Sequence, residues 1–198
     1  ASHQCLEDIA LMRSIPGMVV MNPADDIEAK AAVRAAAEYE GPVYIRLGRA
    51  AVPVINDRPD YKFEWGKGIK IQDGKDVTLV ATGTMVNSAM EAAKMLEADG
   101  VSVEILDIHT IKPLDEDMII ESAKKTGKVV TLEEHSVIGG LGSAVCEALS
   151  EKHPTLVKKI GVYDTFGESG SAAVLMEKYE LDGKGVYRQV KEFLDGLK

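Results

Sequence analysis

The sequence predicts an α/β fold: a mostly parallel sheet with helices on both faces, preceded by a partial α/β domain. Three observations lead there. Strand-like runs alternate with helix-period segments along most of the chain, the pattern of a parallel sheet with crossover helices. Met18–Met21 is continuously apolar, as a strand buried on both faces is. The 198 residues are 45% hydrophobic and 28% charged, and 18 glycines and 7 prolines are spread as punctuation, so a packed chain is expected rather than a disordered or collagenous one. Aromatics make up only 5%, so Val, Ile, Leu, Met and Ala must build the core.

Residues 7–15 read as a short helix stopped by Pro16-Gly17. After the strand at 18–21, Asn22 suits an N-cap and Pro23 a first helical position. Asp25 and Asp26 favour the positive end of the dipole, and an Ala-rich helix runs to Tyr39 before Gly41. Pro42–Arg46 is the next strand, parallel to the first in a βαβ unit. Residues 51–65, with Pro53, Asn56-Asp57 and Pro59-Asp60, read as an extended linker docked by Trp65, the one tryptophan. Ile69–Ile71 and Val77–Val80 flank Asp73-Gly74, which predicts a hairpin. A helix from Thr84 buries Val86, Ala89, Met90, Ala93 and Leu96 and ends at Gly100. Strands follow at Val101–Leu106, Val129–Leu132 and Lys159–Tyr163. Helices follow at Asp115–Lys125, Gly139–Ser150 and Ser171–Tyr179, and a last one carries Val186, Val190, Phe193 and Leu194. The organisation expected is a partial domain at 1–50, a linker at 51–65 and a fuller α/β domain at 66–198. Two strands are too few for an independent sheet, and the chain opens on Ala1, so a fragment of something larger is expected.

Lys plus Arg is 23 against 32 Asp plus Glu, a net charge of −9, which argues against a nucleic-acid partner. No apolar run approaches the ~20 residues of a membrane span, and no signal-peptide core follows Ala1. Cys5 and Cys146 fit no metal-ligand spacing and read as free thiols of a cytoplasmic protein.

Ligands of open parallel sheets gather at the carboxyl ends of strands. Three places qualify. Glu133-Glu134-His135 precedes Gly139-Gly140-Leu141-Gly142-Ser143 at the start of a helix, which suits either tight packing or an accessory anion site. His135, beside two acids, is a candidate to titrate near neutrality. Arg46 and Arg49 flank Gly48 just past a strand, where guanidinium groups suit a phosphate or carboxylate; a solvated surface pair is the alternative. His3 stands at a helix entrance, where it could move a proton.

Ser2-His3-Gln4 through Arg13-Ser14-Ile15-Pro16-Gly17-Met18 resembles a segment of the transketolase family that reads Asp-Gly-Pro-Thr-His-Gln, then a helix, then Arg-x-x-Pro-Asn-Met. Ala1-Ser2 stand for Pro-Thr, and Gly17 for Asn. Asn22-Pro23-Ala24-Asp25, Pro42–Arg49, Glu133–Val145 and Phe166-Gly167-Glu168-Ser169-Gly170 follow in the family's order. The resemblance implies the end of a pyrimidine-binding domain followed by the family's C-terminal domain. It implies transfer of a two-carbon ketol unit between sugar phosphates, with His3 as a catalytic residue, Arg49 as the substrate-phosphate ligand and Arg46 as a weaker second. It implies thiamine diphosphate with magnesium or calcium in the full enzyme, held by residues upstream of Ala1, with none bound to this fragment, which alone would be inactive. A homodimer and a partner N-terminal half, on a separate polypeptide, are implied too. Rival readings are a 1-deoxyxylulose-5-phosphate synthase, a 2-oxoacid dehydrogenase β subunit, or a non-catalytic dimerisation domain.

Overall fold

The structure is a computed structural model and describes residues 5–49 and 51–197. Its first elements are α1 (Asp8–Ser14), β1 (Val19–Met21), α2 (Asp26–Glu38) and β2 (Val43–Ile45). β1 and β2 are parallel, as the βαβ reading expects. α2 begins later than expected. Its N-cap is Asp25, whose side chain accepts from the Glu28 amide, whereas Asn22 is still extended and its amide donates to the His109 carbonyl. An aspartate three residues before a glutamate outcompetes the Asn-Pro pair because Glu28 also reaches back, its carboxylate accepting from the Ala24 amide at 2.6 Å.

The second region holds β3 (Ile69–Gln72), β4 (Val77–Ala81), α3 (Met85–Ala98), β5 (Val103–Asp107), β6 (Thr110–Lys112), α4 (Glu116–Thr126), β7 (Lys128–Ser136), α5 (Leu141–Lys152), β8 (Leu156–Val162), α6 (Ala172–Lys178) and α7 (Gly183–Asp195). Five strands form one sheet in the order β3-β5-β4-β7-β8, parallel except for β3. The expected hairpin is therefore overturned. The edge strand is antiparallel, but its partner is β5, not β4. The chain through Asp73-Gly74 passes over the start of β5. A Cβ at Gly74 would strike the Val103 carbonyl carbon and the Glu104 nitrogen, so this glycine serves a close crossing rather than a two-residue turn.

Side chains alternate across this sheet and both faces are covered. Val77, Leu79 and Ala81 join Val86, Ala89, Leu96, Val186 and Val190 in the layer of α3 and α7. Val80, Leu106 and Val129 join Ile119, Ala123, Val145 and Leu149 in the layer of α4 and α5. Ile9 of α1 and Val20 of β1 are buried in that second layer, so the first region is packed into the core of the second.

β6 was not legible in the sequence and resolves the shortage of strands. It pairs antiparallel with β1, giving a three-stranded sheet ordered β2-β1-β6. Residues 51–65 form neither helix nor strand. Trp65 does dock this stretch: its ring packs tilted against Tyr39 at 5.0 Å and meets Phe63 edge-on at 5.4 Å, against Val19 and Met21. Among the described residues no helix is long and apolar enough to cross a membrane.

Substituting Gly74→Ala is expected to cost about 1–3 kcal/mol, since the new methyl meets backbone that cannot turn aside. An unchanged urea midpoint would show that the β3–β5 crossing has room to shift.

Candidate functional site

The carboxyl ends of β2, β4 and β7 meet where α1 lies across them. Arg46 follows β2 directly, and its amide still donates to the Met21 carbonyl. Its guanidinium is committed. Nε donates to Asp8 Oδ2 at 3.1 Å, one terminal nitrogen donates to the Cys5 carbonyl at 3.2 Å, and the other lies 3.8 Å from Glu134. The Arg46 side chain is 14% exposed and that of Asp8 10%, so the pair is largely desolvated. The Tyr44 hydroxyl also donates to Asp8, at 2.6 Å. Burial, then that carboxylate, pushes the phenol up to about 12.

His135 lies behind this pair, fully buried. Nδ1 is 2.7 Å from the Ser136 carbonyl and Nε2 is 3.1 Å from the Ile9 amide. A carbonyl only accepts and an amide only donates. His135 is therefore neutral, with its proton on Nδ1 and Nε2 accepting from the first turn of α1. Burial pushes it below its ordinary value. This corrects the expectation of titration near neutrality: the low-dielectric surroundings outweigh the neighbouring acids.

The glycine run is resolved in favour of packing. β7 runs through Ser136, four residues past its expected end, so Glu133 and His135 belong to the strand. The buried Glu133 carboxylate accepts from the amides of Leu141 at 2.7 Å and Gly142 at 2.9 Å. The N-terminus of α5 thus already holds an anion, one supplied by the chain itself. A side chain at Gly140 would displace that carboxylate. Burial pushes Glu133 up to about 7 in spite of the two amides.

Arg49 stands apart. It is exposed, and among the described residues its guanidinium has no hydrogen-bond or ion-pair partner. Gly48 beside it rests on Thr84, the N-cap of α3: a Cβ at Gly48 would lie 3.0 Å from the Thr84 methyl. The Thr84 hydroxyl is 3.4 Å from Glu134. Arg46, Glu134 and Thr84 therefore border one region, and Gly48, next to Arg49 in the chain, reaches its edge. Of the two arginines, Arg49 is the one free to take an external anion. His3 lies outside the described residues. Sequence reasoning missed Asp8, Tyr44 and Thr84 as neighbours of this region, and placed Glu134 with the glycine-rich turn instead. Of the first three, only Asp8, an acid opening a helix beside the buried Ile9, carried a signal.

Among the described residues no three His, Cys, Asp or Glu side chains are grouped to hold a metal ion.

Arg46→Ala should destabilise by about 1.5–3 kcal/mol, because it strands the Asp8 carboxylate, whereas Arg49→Ala should stay within about 0.5 kcal/mol. Equal denaturation midpoints for the two variants would contradict this assignment. Nitrogen NMR of the imidazoles should show His135 as the neutral Nδ1–H tautomer near pH 6. Because its folded value is depressed, this residue's contribution to stability declines as pH falls below about 6.5, where the unfolded chain takes up a proton. A His135 titration midpoint at or above that pH would refute the buried neutral form.

Two family models match the chain: the transketolase C-terminal domain over residues 66–186 and the transketolase pyrimidine-binding domain over residues 1–54. The chain is 44% identical over 96% of its length to a 6-deoxy-6-sulfo-D-fructose transketolase subunit of a Clostridium species, and 45% identical over 97% to a putative transketolase C-terminal section of Methanocaldococcus jannaschii. It spans 59% and 60% of those two relatives. It is also 41% identical over 98% of its length to a 1-deoxy-D-xylulose-5-phosphate synthase of Heliobacterium modesticaldum, of which it covers 30%. Among solved structures, a split-gene transketolase described as an inactive β4 tetramer superposes with a TM-score of 0.92 at 54% identity, over 98% of this chain and 63% of that one. A variant transketolase from Pichia stipitis superposes at 0.79 with 24% identity, over 100% of this chain and 28% of that one, which shows the shared fold. The buried strand ends, the docked first region and these matches agree, and the chain belongs to the transketolase family of thiamine-diphosphate enzymes.

Proposed function

We propose that this chain is part of a transketolase that moves a two-carbon ketol unit between sugar phosphates, and that Arg49 grips the anionic end of the sugar. The observation that carries the second half is the contrast between two neighbouring arginines. Arg46 is tied to Asp8, Cys5 and Glu134, while Arg49 is exposed and unpaired among the described residues. A free guanidinium at a strand's carboxyl end offers paired N–H donors to a phosphate. Arg46 acts instead as the residue that holds this end of β2 against α1.

Similar proteins support a charged tail on the substrate. One is named for a sulfo-fructose, another belongs to an apulose-4-phosphate transketolase of Phocaeicola vulgatus, and a third is the deoxyxylulose-phosphate synthase. Phosphate and sulfonate are both tetrahedral oxyanions that one guanidinium can hold. On this reading thiamine diphosphate supplies the carbanion chemistry in the whole enzyme, with its diphosphate and its magnesium or calcium held elsewhere than on the residues described. This chain binds and orients the sugar, with His3 moving protons at its oxygens. The organisation is then 1–50 from a pyrimidine-binding domain, a linker at 51–65 and a C-terminal domain at 66–198. It pairs with an N-terminal half and a second copy of itself, in the cytoplasm. Relatives named as a subunit or C-terminal section support the split arrangement.

A deoxyxylulose-phosphate synthase is the second reading, favoured by identity over nearly the whole chain to such an enzyme. Assay of the complete, reconstituted enzyme with xylulose 5-phosphate plus ribose 5-phosphate, against pyruvate plus glyceraldehyde 3-phosphate, separates the two. Turnover of the pyruvate pair alone would reject the transketolase reading.

In that enzyme Arg49→Ala should raise KM for phosphorylated sugars roughly 10- to 150-fold, the loss of a hydrogen bond to a charged group. The change in kcat should be smaller, because the anion is remote from the reacting carbonyl and is held alike in ground and transition states. Unphosphorylated sugars should be affected little. A phosphate-dependent defect in Arg46→Ala but not in Arg49→Ala would reverse the roles given to the two arginines.

A further inference from the structure

A second polar cluster lies where α2, residues 51–61 and the end of β5 meet, away from the arginines. Glu28 and Asp107 are both fully buried and face one another within hydrogen-bonding reach. Neither Asp107 oxygen finds a donor among the described residues. Glu28 is partly provided for, since Oε2 accepts from the Ala24 amide at 2.6 Å and Oε1 lies 3.5 Å from the Tyr61 hydroxyl. An ionised buried carboxylate with no donor is costly, and a second ionised carboxylate beside it makes matters worse. One proton between them removes the repulsion and gives Asp107 the donor it lacks.

We propose that Glu28 and Asp107 share a single proton, and that this carboxyl pair is a pH-sensitive latch fastening residues 51–61 across the junction of α2 and β5. The fastening is visible in the backbone. Asp25, the N-cap of α2, accepts from the amides of Ile55 at 2.8 Å and Asn56 at 2.7 Å. Tyr61 closes over Glu28 from the same segment. The charged and titratable groups facing the pair are Asp25 on α2 and Arg58 and Tyr61 on the linker. Asp25 opposes loss of the proton, Arg58 favours it at Asp107, and Tyr61 can donate to Glu28. Arg58 does not neutralise the pair outright, since its buried Nε is itself without a partner.

Burial pushes Glu28 up to about 7 and Asp107 well above its ordinary value, so the closed latch binds a proton that the open segment releases. The closed form is therefore at full strength below the ordinary carboxyl value of 4.5 and weakens as pH rises from there towards about 7. The device is independent of the transferase reading, since it needs neither substrate nor cofactor.

The test is hydrogen exchange at the Ile55 and Asn56 amides in the full-length chain, corrected for the intrinsic rise of exchange with pH. Protection at both should fall on the order of tenfold or more across that window. Glu28→Gln and Asp107→Asn each install a permanent amide donor between the two side chains, and either should hold the change under about twofold. Asp107→Asn keeps the test alive if Glu28→Gln disturbs the start of α2. Wild-type-minus-variant infrared difference spectra near pH 5 should also show the carbonyl stretch of a neutral carboxylic acid beyond that of Glu133, which both variants retain. Protection that does not vary with pH in wild type, a fall that persists in both variants, or no such difference band would each overturn the shared proton.

Discussion

Arg46 and Asp8 are both nearly desolvated, and each charge tolerates that state only because the other is present. The geometry of the junction depends on this pair. Asp8 opens α1, Arg46 closes β2, and Glu134 approaches from β7, so one ion pair ties a helix and the ends of two strands together. His135 extends the tie inward by accepting from Ile9, and Ser136 donates its amide to the Leu6 carbonyl. At the other end of α1, Lys112 donates to the carbonyls of Arg13 and Ile15 at 2.9 and 2.6 Å. The first region is thus gripped at both ends of one short helix by polar groups of the second. Because Arg46 is anchored, the residues that follow it are directed over Thr84, and Arg49 is left exposed.

Much of the fold was legible because the strongest signals are local. The helical spacing of Val86, Ala89, Ala93 and Leu96 finds α3, and all four are buried where the period says they should be. Asp115 and the Lys124-Lys125 turn bracket α4 as the dipole rule requires. What could not be read was pairing between distant segments. Asp73-Gly74 has the chemistry of a tight turn, yet the glycine is needed for a crossing over Val103 and Glu104, and nothing within the turn distinguishes the two uses. β6 is three residues long and follows a buried histidine, too short for any period to register. Its existence depends on β1, some ninety residues earlier in the chain.

The site divides in the same way. That two arginines near a strand end would matter was readable from Pro42–Arg49, and a preference for Arg49 follows from the family's motif. Why Arg46 is unavailable was not readable, since Cys5 and Asp8 reach it from the start of α1 and Glu134 from β7, both distant in the chain. His135 shows the opposite failure. Its sequence neighbours are acids, but what fixes its protonation is the Ile9 amide and the burial around it, neither of which sequence adjacency reveals.

On the proposed reading, these details decide how the protein recognises an anion. A helix N-terminus is the cheapest anion site a parallel α/β sheet provides. Here the N-terminus of α5 is closed by Glu133, which occupies the two amides that an external oxyanion would want. Arg13 adds a second constraint from outside, donating to the Gly139 carbonyl at 2.7 Å and binding Glu147. The glycine-rich turn is thereby part of the scaffold that seats α1, and α1 is held by the same Asp8 that occupies Arg46. Closing one anion site and committing one arginine are two consequences of a single docking arrangement. What remains for the substrate is a guanidinium on a flexible stem, which can follow a charged group over a range of positions in a way fixed helix amides cannot. Relatives named for a sulfo-sugar and for sugar phosphates carry that charge on sugars of different build, and a side-chain grip suits such variation better than a rigid turn.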